Sequence, residues 1–366
     1  MVHVDSEAIL ESLGAARKFA DPEAPKPARL MAAGGTLPLP PDQICTVLFA
    51  LTLDDDPEVK AKAQQSLGDL PERVLDPALE ARLHPAVLDF FAERFQEDGP
   101  RMEKLALNAA TSDETYCFLA ELPHARVVEI VSHNQTRLLR CGKIVEALSE
   151  NPVTGQATIN RVLEFLGIGG ATAEPDPDAE AIPHVPEPLP DTEARDAEAF
   201  DPEDISDFPD DLIEEEEAIE LDETGEEERK LSLTSLIQKL TVMEKIKLAR
   251  FGNSEARGLL VRDRNKLIAS AAVRSPKVKE NEVIAFAKSR ALCDEVYRII
   301  AATQEWTKNY QVKLAIATNP KSQLPTAIKF LNYLTDRDLK AIMRSRDVPG
   351  QVSMQAKRIL SRKGKI

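Results

Sequence analysis

Cys117 and His124 are the sequence's nearest approach to a nucleophile and its base. Seven residues is two helical turns, so both side chains fall on one face of a helix. Covalent catalysis by such a pair also needs a group to orient the imidazole and donors for the developing oxyanion. Neither is recognisable, and the pair reads as a buried thiol and a surface histidine. The other cysteines (Cys45, Cys141 and Cys293) stand far apart with no CxxC spacing. All four are expected to be reduced and to pack as small hydrophobes. The histidines, His3, His84, His124, His133 and His184, show no ligand spacing, and no metal is expected. Gly167-Ile168-Gly169-Gly170 is glycine-rich, but it follows a helical pattern (Asn160–Leu166) where a phosphate cradle needs a strand, and it reads as a helix stop. Asp54-Asp55-Asp56 lacks the glycine of a calcium loop and supplies a helix N-cap instead. The chain is therefore expected to be non-enzymatic, with no cofactor.

The remaining chemistry is charge. Residues 231–366 carry 27 Lys/Arg against 11 Asp/Glu, whereas residues 1–170 carry 16 against 26 and residues 171–230 carry 3 against 25. Arg257, Arg262 and Arg264 cluster near one inter-helix connection, and Arg344, Arg346 and Arg358 crowd the last two helices. On one face these would form an anion-binding stripe. Trp306 and Lys308 add an aromatic and cationic neighbourhood able to stack on a base. Three readings stay open: scattered solvation, a groove for an acidic protein partner, and a nucleic-acid or ribosome contact. In the acidic stretch, Phe208, Leu212 and Ile213 are interleaved with carboxylates, the pattern of a short docking motif or of a plain solvated linker.

The elements that position these residues are helices. Aromatics are only 5% of the chain and glycine is sparse, so cores are aliphatic. Apolar positions recur at helical spacing, as in Val59, Ala63 and Leu67, or Leu334, Leu339 and Ile342. Asp56-Pro57-Glu58 is a helix start. The stretch Ala271-Ala-Val-Arg-Ser275-Pro276-Lys277 repeats at Ala315-Ile-Ala-Thr-Asn319-Pro320-Lys321, 44 residues on, and Asn151-Pro152 carries the pattern in the N-terminal block. A period of 44 divisible by two is the size of a helix pair. The sequence thus predicts an all-α protein of two α-solenoid blocks, an acidic one over 1–170 and a basic one over 231–366. They are joined by a disordered acidic Pro/Glu/Asp-rich linker over 171–230. No apolar run is long enough to cross a membrane. With no secretory pattern at the start, a cytoplasmic location is expected.

Asp56–Leu67 resembles a HEAT-type repeat helix. Val312–Leu331 resembles the Asn-Pro-containing repeats of leucine-rich-variant-like bacterial helical proteins, and both blocks together resemble a bacterial family of cytosolic proteins with this layout. The resemblance implies a HEAT-like helical-repeat scaffold engaged in protein–protein interaction. It carries over no active-site residue.

Overall fold

The computed structural model describes residues 6–168, 185–189, 208–213 and 233–365. Among them the protein is all-helical, with no strand. It divides into two compact units. The first holds residues 6–158 and 185–189, and the second holds 159–168, 208–213 and 233–365. The division falls between Thr158 and Ile159, earlier than the boundary at 170 that composition suggested. The reason is packing: Asn160 Oδ1 accepts from Arg274 Nη2, and the left-handed Gly167 lies against the Arg250 guanidinium. Gly167 does stop its helix. Its N–H bonds the Glu164 carbonyl at 3.0 Å and Ile168 N–H reaches Leu163 at 2.9 Å, a paired closure that needs a positive φ, here 74°.

The expected linker falls mostly outside the described residues. Two short pieces of it are described, 185–189 and 208–213, and each lies in contact with one unit.

Local sequence accounts for the elements. Asp56 caps Pro57–Gly68, accepting from Glu58 N–H at 2.9 Å, and Lys26 Nζ sits 2.8 Å from its second oxygen. The Val59, Ala63 and Leu67 stripe is fully buried, as are Leu339 and nearly so Leu334 and Ile342. Val59 and Ala63 join Leu10, Leu13, Val47 and Leu51 in the core of the first unit.

The 44-residue offset is realised atom by atom. Lys266–Arg274 and Tyr310–Thr318 are both nine-residue helices, capped by Asn265 and Asn309. Ile268 and Val312 are both buried, as are Phe286 and Phe330, while Ile284 and Ile328 are both half-buried. One expectation fails. Each period holds three or more short helices, not a pair. Between Glu280 and Thr318 lie Glu280–Lys288, Asp294–Ala302, Gln304–Lys308 and Tyr310–Thr318. The apolar spacing revealed helical faces but not how often the chain breaks between them.

The Asn-Pro positions are neither N-caps nor idle turns. Asn151 ends the helix Gly142–Glu150 and is buried. Its Nδ2 donates to the carbonyls of Ala120 and Leu122 at 2.7 and 2.8 Å, the C-terminal end of Asp113–Glu121. Its Oδ1 accepts from Val153 N–H at 3.0 Å. Asn319 does the same to Ala287 and Ser289 at 2.9 and 2.6 Å, and Asn108, without a proline, to Leu79 and Ala81 at 2.6 and 2.8 Å. A hydroxyl three residues later (Thr111, Thr154, Ser322) bonds the carbonyl three residues before each Asn. In the fourth copy Ser275 replaces Asn. Its shorter side chain reaches one carbonyl, Arg250 at 3.2 Å, and Lys277 Nζ takes the next, Phe251 at 2.7 Å. Each device satisfies the orphaned carbonyls at the end of an earlier helix and ties one repeat to another.

Candidate partner-binding site

Val242–Phe251 ends at Gly252, and Asn253 opens Ser254–Leu260, its Oδ1 accepting from Ala256 N–H at 2.9 Å. Against these two helices packs the short helix Asp210–Ile213. The Leu212 carbonyl accepts from Asn253 N–H at 2.8 Å. Leu212 and Phe208 are buried, Ile213 is half-buried, and Lys247 Nζ lies 6.0 Å from the centroid of the Phe208 ring. The hydrophobic residues singled out in the acidic stretch thus sit on the basic unit, held by one backbone bond, two buried side chains and a cation near an aromatic face.

The six arginines do not act as one set. Arg257 is fully buried. Its Nε and Nη2 grip both Glu282 oxygens at 3.0 and 2.7 Å, and its Nη1 donates to the Gly252 carbonyl at 2.7 Å. This corrects its assignment to a solvent-facing anion stripe: the guanidinium neutralises Glu282 and holds the turn on which Leu212 docks. Arg262 and Arg264 are exposed in the turn after Ser254–Leu260, with Arg262 Nη1 donating to the Gly258 carbonyl. Arg344, Arg346 and Arg358 are exposed on Asp336–Arg344, the loop after it and Gly350–Arg362, two helices that pack together. Trp306 is half-buried on Gln304–Lys308, and Lys308 is exposed. Tyr310 is committed internally: its hydroxyl donates to Asp338 Oδ2 and accepts from Thr335 N–H at 3.1 Å. That bond, with one from Thr335, holds the Asp338 carboxyl below its ordinary value.

Between Tyr310–Thr318 and Asp336–Arg344 runs a groove of about 380 Å³. Leu314, Ala315 and Ile342 form its apolar wall, and Lys288, Arg290, Asp338 and Asp347 its charged rim. Arg290 Nη2 and Asp347 Oδ2 lie 3.4 Å apart and exposed, an arrangement of little energetic weight.

The first unit holds what sequence reasoning missed. Asp113, almost fully buried, receives Arg137 Nη1 at 2.7 Å and Arg140 Nε and Nη2 at 2.8 and 2.6 Å. Arg137 stacks over Tyr116 with its Cζ 4.1 Å from the ring centroid, and burial draws its guanidinium below the ordinary value. Segment 185–189 lies beside this cluster: Leu189 N–H donates to the Ala109 carbonyl at 3.1 Å and Asn134 Nδ2 to the Pro186 carbonyl at 3.2 Å. Cys117 and His124 are not brought together as a pair. The His124 Nε2 is 2.7 Å from the Gln96 carbonyl, while Cys117 Sγ lies 4.0 Å from Cys141 Sγ. Among the described residues no cluster of metal ligands occurs, and no helix is long and apolar enough to cross a membrane.

No family model, curated protein or solved structure matches the chain.

Proposed function

We propose that the protein is a non-enzymatic scaffold built of two short α-solenoids of HEAT-like repeats, and that its C-terminal unit binds acidic protein segments with apolar anchors. The observation that carries this reading is the chain's own ligand of that class. Phe208-Pro209-Asp210-Asp211-Leu212-Ile213 docks on a unit whose residues 231–366 carry a large positive excess, with Phe208 and Leu212 buried and the Leu212 carbonyl bonded to Asn253 N–H. A tethered segment is present at roughly millimolar effective concentration, so it masks the site against a partner of moderate affinity and yields to a tight one. The groove beside Tyr310–Thr318 offers a second apolar floor with a charged rim. Competition tests the reading. A chain lacking 200–228 should bind a labelled 204–216 peptide, as followed by fluorescence anisotropy, at least tenfold more tightly than the intact chain. Phe208→Ala with Leu212→Ala in the peptide should remove the binding. Equal affinity of both chains for the peptide refutes masking, and no binding to the deleted chain refutes the site.

The alternative reading, a nucleic-acid or ribosome contact, draws support from the exposed Arg262, Arg264, Arg344, Arg346 and Arg358. It predicts that single-stranded RNA binds the deleted chain with a steep loss on raising salt, and that charge reversal at Arg344, Arg346 and Arg358 abolishes binding while the peptide still binds.

A further inference from the structure

Ten residues before each repeat's buried Asn or Ser stands the residue that opens its helix: Asp98, Cys141, Asn265 and Asn309. In three of these positions an oxygen caps the helix. Asp98 Oδ1 accepts from Arg101 N–H at 3.2 Å, Asn265 Oδ1 from Leu267 N–H at 3.0 Å and Asn309 Oδ1 from Gln311 N–H at 2.7 Å. In the fourth, Cys141 stands at the N-cap of Gly142–Glu150, its side chain makes no capping hydrogen bond, and the Ile144 N–H goes to the Cys141 carbonyl at 3.1 Å. The start of a helix favours the ionised, nucleophilic form of a cysteine placed there. The second sulfur is already in place. Cys117 lies on Asp113–Glu121, which packs along Gly142–Glu150, and its Sγ is 4.0 Å from Cys141 Sγ. Both side chains are partly open to solvent. Asp113, whose charge bears on both sulfurs, is held between Arg137 and Arg140 and opposes a thiolate less than a bare charge would.

We propose that Cys117 and Cys141 form a redox-active dithiol that hydrogen peroxide oxidises to an intramolecular disulfide. The Cys141 thiolate attacks one peroxide oxygen, the O–O bond breaks, and hydroxide leaves, giving a sulfenic acid on Cys141. The Cys117 sulfur then attacks the Cys141 sulfur. The S–S bond forms as the S–O bond breaks, and the Cys117 proton leaves with the hydroxyl as water. Two thiols lose two electrons and one peroxide becomes two waters. Closing from 4.0 Å to bonding distance, about 2.0 Å, is within reach of side-chain rotation at two half-buried positions. The bridge would fasten Asp113–Glu121 to the joint between Gln135–Arg140 and Gly142–Glu150, closing the loop that includes Asn134, the contact of Pro186.

The four cysteines of the intact chain serve as each other's controls. Burial pushes the Cys45 thiol up to about 12, and the Cys117 and Cys293 thiols are raised as well, whereas Cys141, beside the Cys117 sulfur, is lowered to about 7. The reduced full chain is treated with hydrogen peroxide and digested with trypsin without reductant. The expected product joins residues 105–126 to residues 141–143 and is two hydrogens lighter than the separate peptides, while Cys45 and Cys293 remain thiols. In Cys117→Ser, oxidation should halt at a sulfenic acid on Cys141 that a dimedone probe captures. In Cys141→Ser, Cys117 should stay a thiol. The proposal is overturned if peroxide leaves both sulfurs as thiols, if Cys45 or Cys293 oxidises as fast, or if Cys141 proceeds to sulfinic acid without the cross-link. The wild-type digest decides among these even if a serine variant fails to fold.

Discussion

Replacing Asn151 with alanine isolates what the inter-repeat amide contributes. The native side chain makes three hydrogen bonds, to the Ala120 and Leu122 carbonyls and from Val153 N–H. Val153 is half-exposed, so its amide regains water; the two carbonyls lie at a buried helix end. Each lost bond costs about 1 kcal/mol net, and each carbonyl left dry roughly 1–3 kcal/mol instead. Asn151→Ala should therefore destabilise the first unit by about 3–4 kcal/mol. Asn319→Ala should cost less, about 2 kcal/mol, because Tyr297 Oη–H also donates to the Ser289 carbonyl, at 2.5 Å, and stays when the amide goes. Ser275→Ala should cost 1 kcal/mol or less, its bonds being longer, 3.2 and 3.4 Å, and one carbonyl already served by Lys277. Asn151→Asp adds a sign test. A carboxylate facing two carbonyl oxygens is disfavoured, so its folded pKa would rise above the unfolded value of about 3.9. The variant is then least impaired below the unfolded value and loses stability as pH climbs from there through the raised folded value. Urea unfolding of the full chain, with amide exchange at Asp113–Glu121 and Glu280–Lys288 to place each loss, measures the series. A cost under about 0.5 kcal/mol for Asn151→Ala, or Ser275→Ala costing the most, would refute the reasoning.

Three further outcomes follow from the same geometry. Arg257→Met leaves Glu282 facing a buried turn and should cost about 3–5 kcal/mol; adding Glu282→Leu should recover part of that loss, which a double-mutant cycle by urea unfolding reads directly. Leu331 is fully buried, so Leu331→Asp should destabilise the C-terminal unit by several kcal/mol; a change near zero would mean the register is wrong. Asp338 titrates low because the Tyr310 and Thr335 hydroxyls favour its charged form. That stabilisation is present above the unfolded value and lost as pH falls through the depressed one, and Tyr310→Phe should shift the Asp338 carboxyl resonance upward in an NMR titration.

The helices and their register were legible in the sequence because repetition is a local signal. The match of Ala271–Lys277 to Ala315–Lys321 placed every apolar position that the fold buries there. Two things were not legible. The number of helices per period depends on where the chain breaks, and the breaks here can be one residue long, as at Thr303 and Asn309 on either side of the helix Gln304–Lys308. The fate of a charge depends on residues far along the chain. Arg257 reads as a surface cation until Glu282, 25 residues on, is seen against it, and Asp113 reads as a solvated acid until Arg137 and Arg140 close over it. The Cys117–Cys141 approach was likewise hidden by a 24-residue separation. Its signal lay in the repeat register, which puts Cys141 where Asn265 and Asn309 stand.

Short helices explain why the amide device recurs. An α-helix leaves about four N–H groups and four carbonyls without intrahelical partners whatever its length. In helices of nine residues, such as Gly142–Glu150 or Tyr310–Thr318, that is nearly half of the backbone polar groups. Burying such ends against a neighbouring repeat would be prohibitive without donors to meet the carbonyls. An asparagine answers this with two donors and one acceptor on a short stem: the donors meet the carbonyls of an earlier helix, and the acceptor turns its own chain through the Val153 or Lys321 amide. One side chain thereby caps a helix and sets the spacing to the next repeat. A leucine in its place would fill the space and leave the register free to slip. The sequence signature is thus a polar residue that recurs after 43 residues in the first unit, at Asn108 and Asn151, and after 44 in the second, at Ser275 and Asn319, inside a core that is otherwise aliphatic.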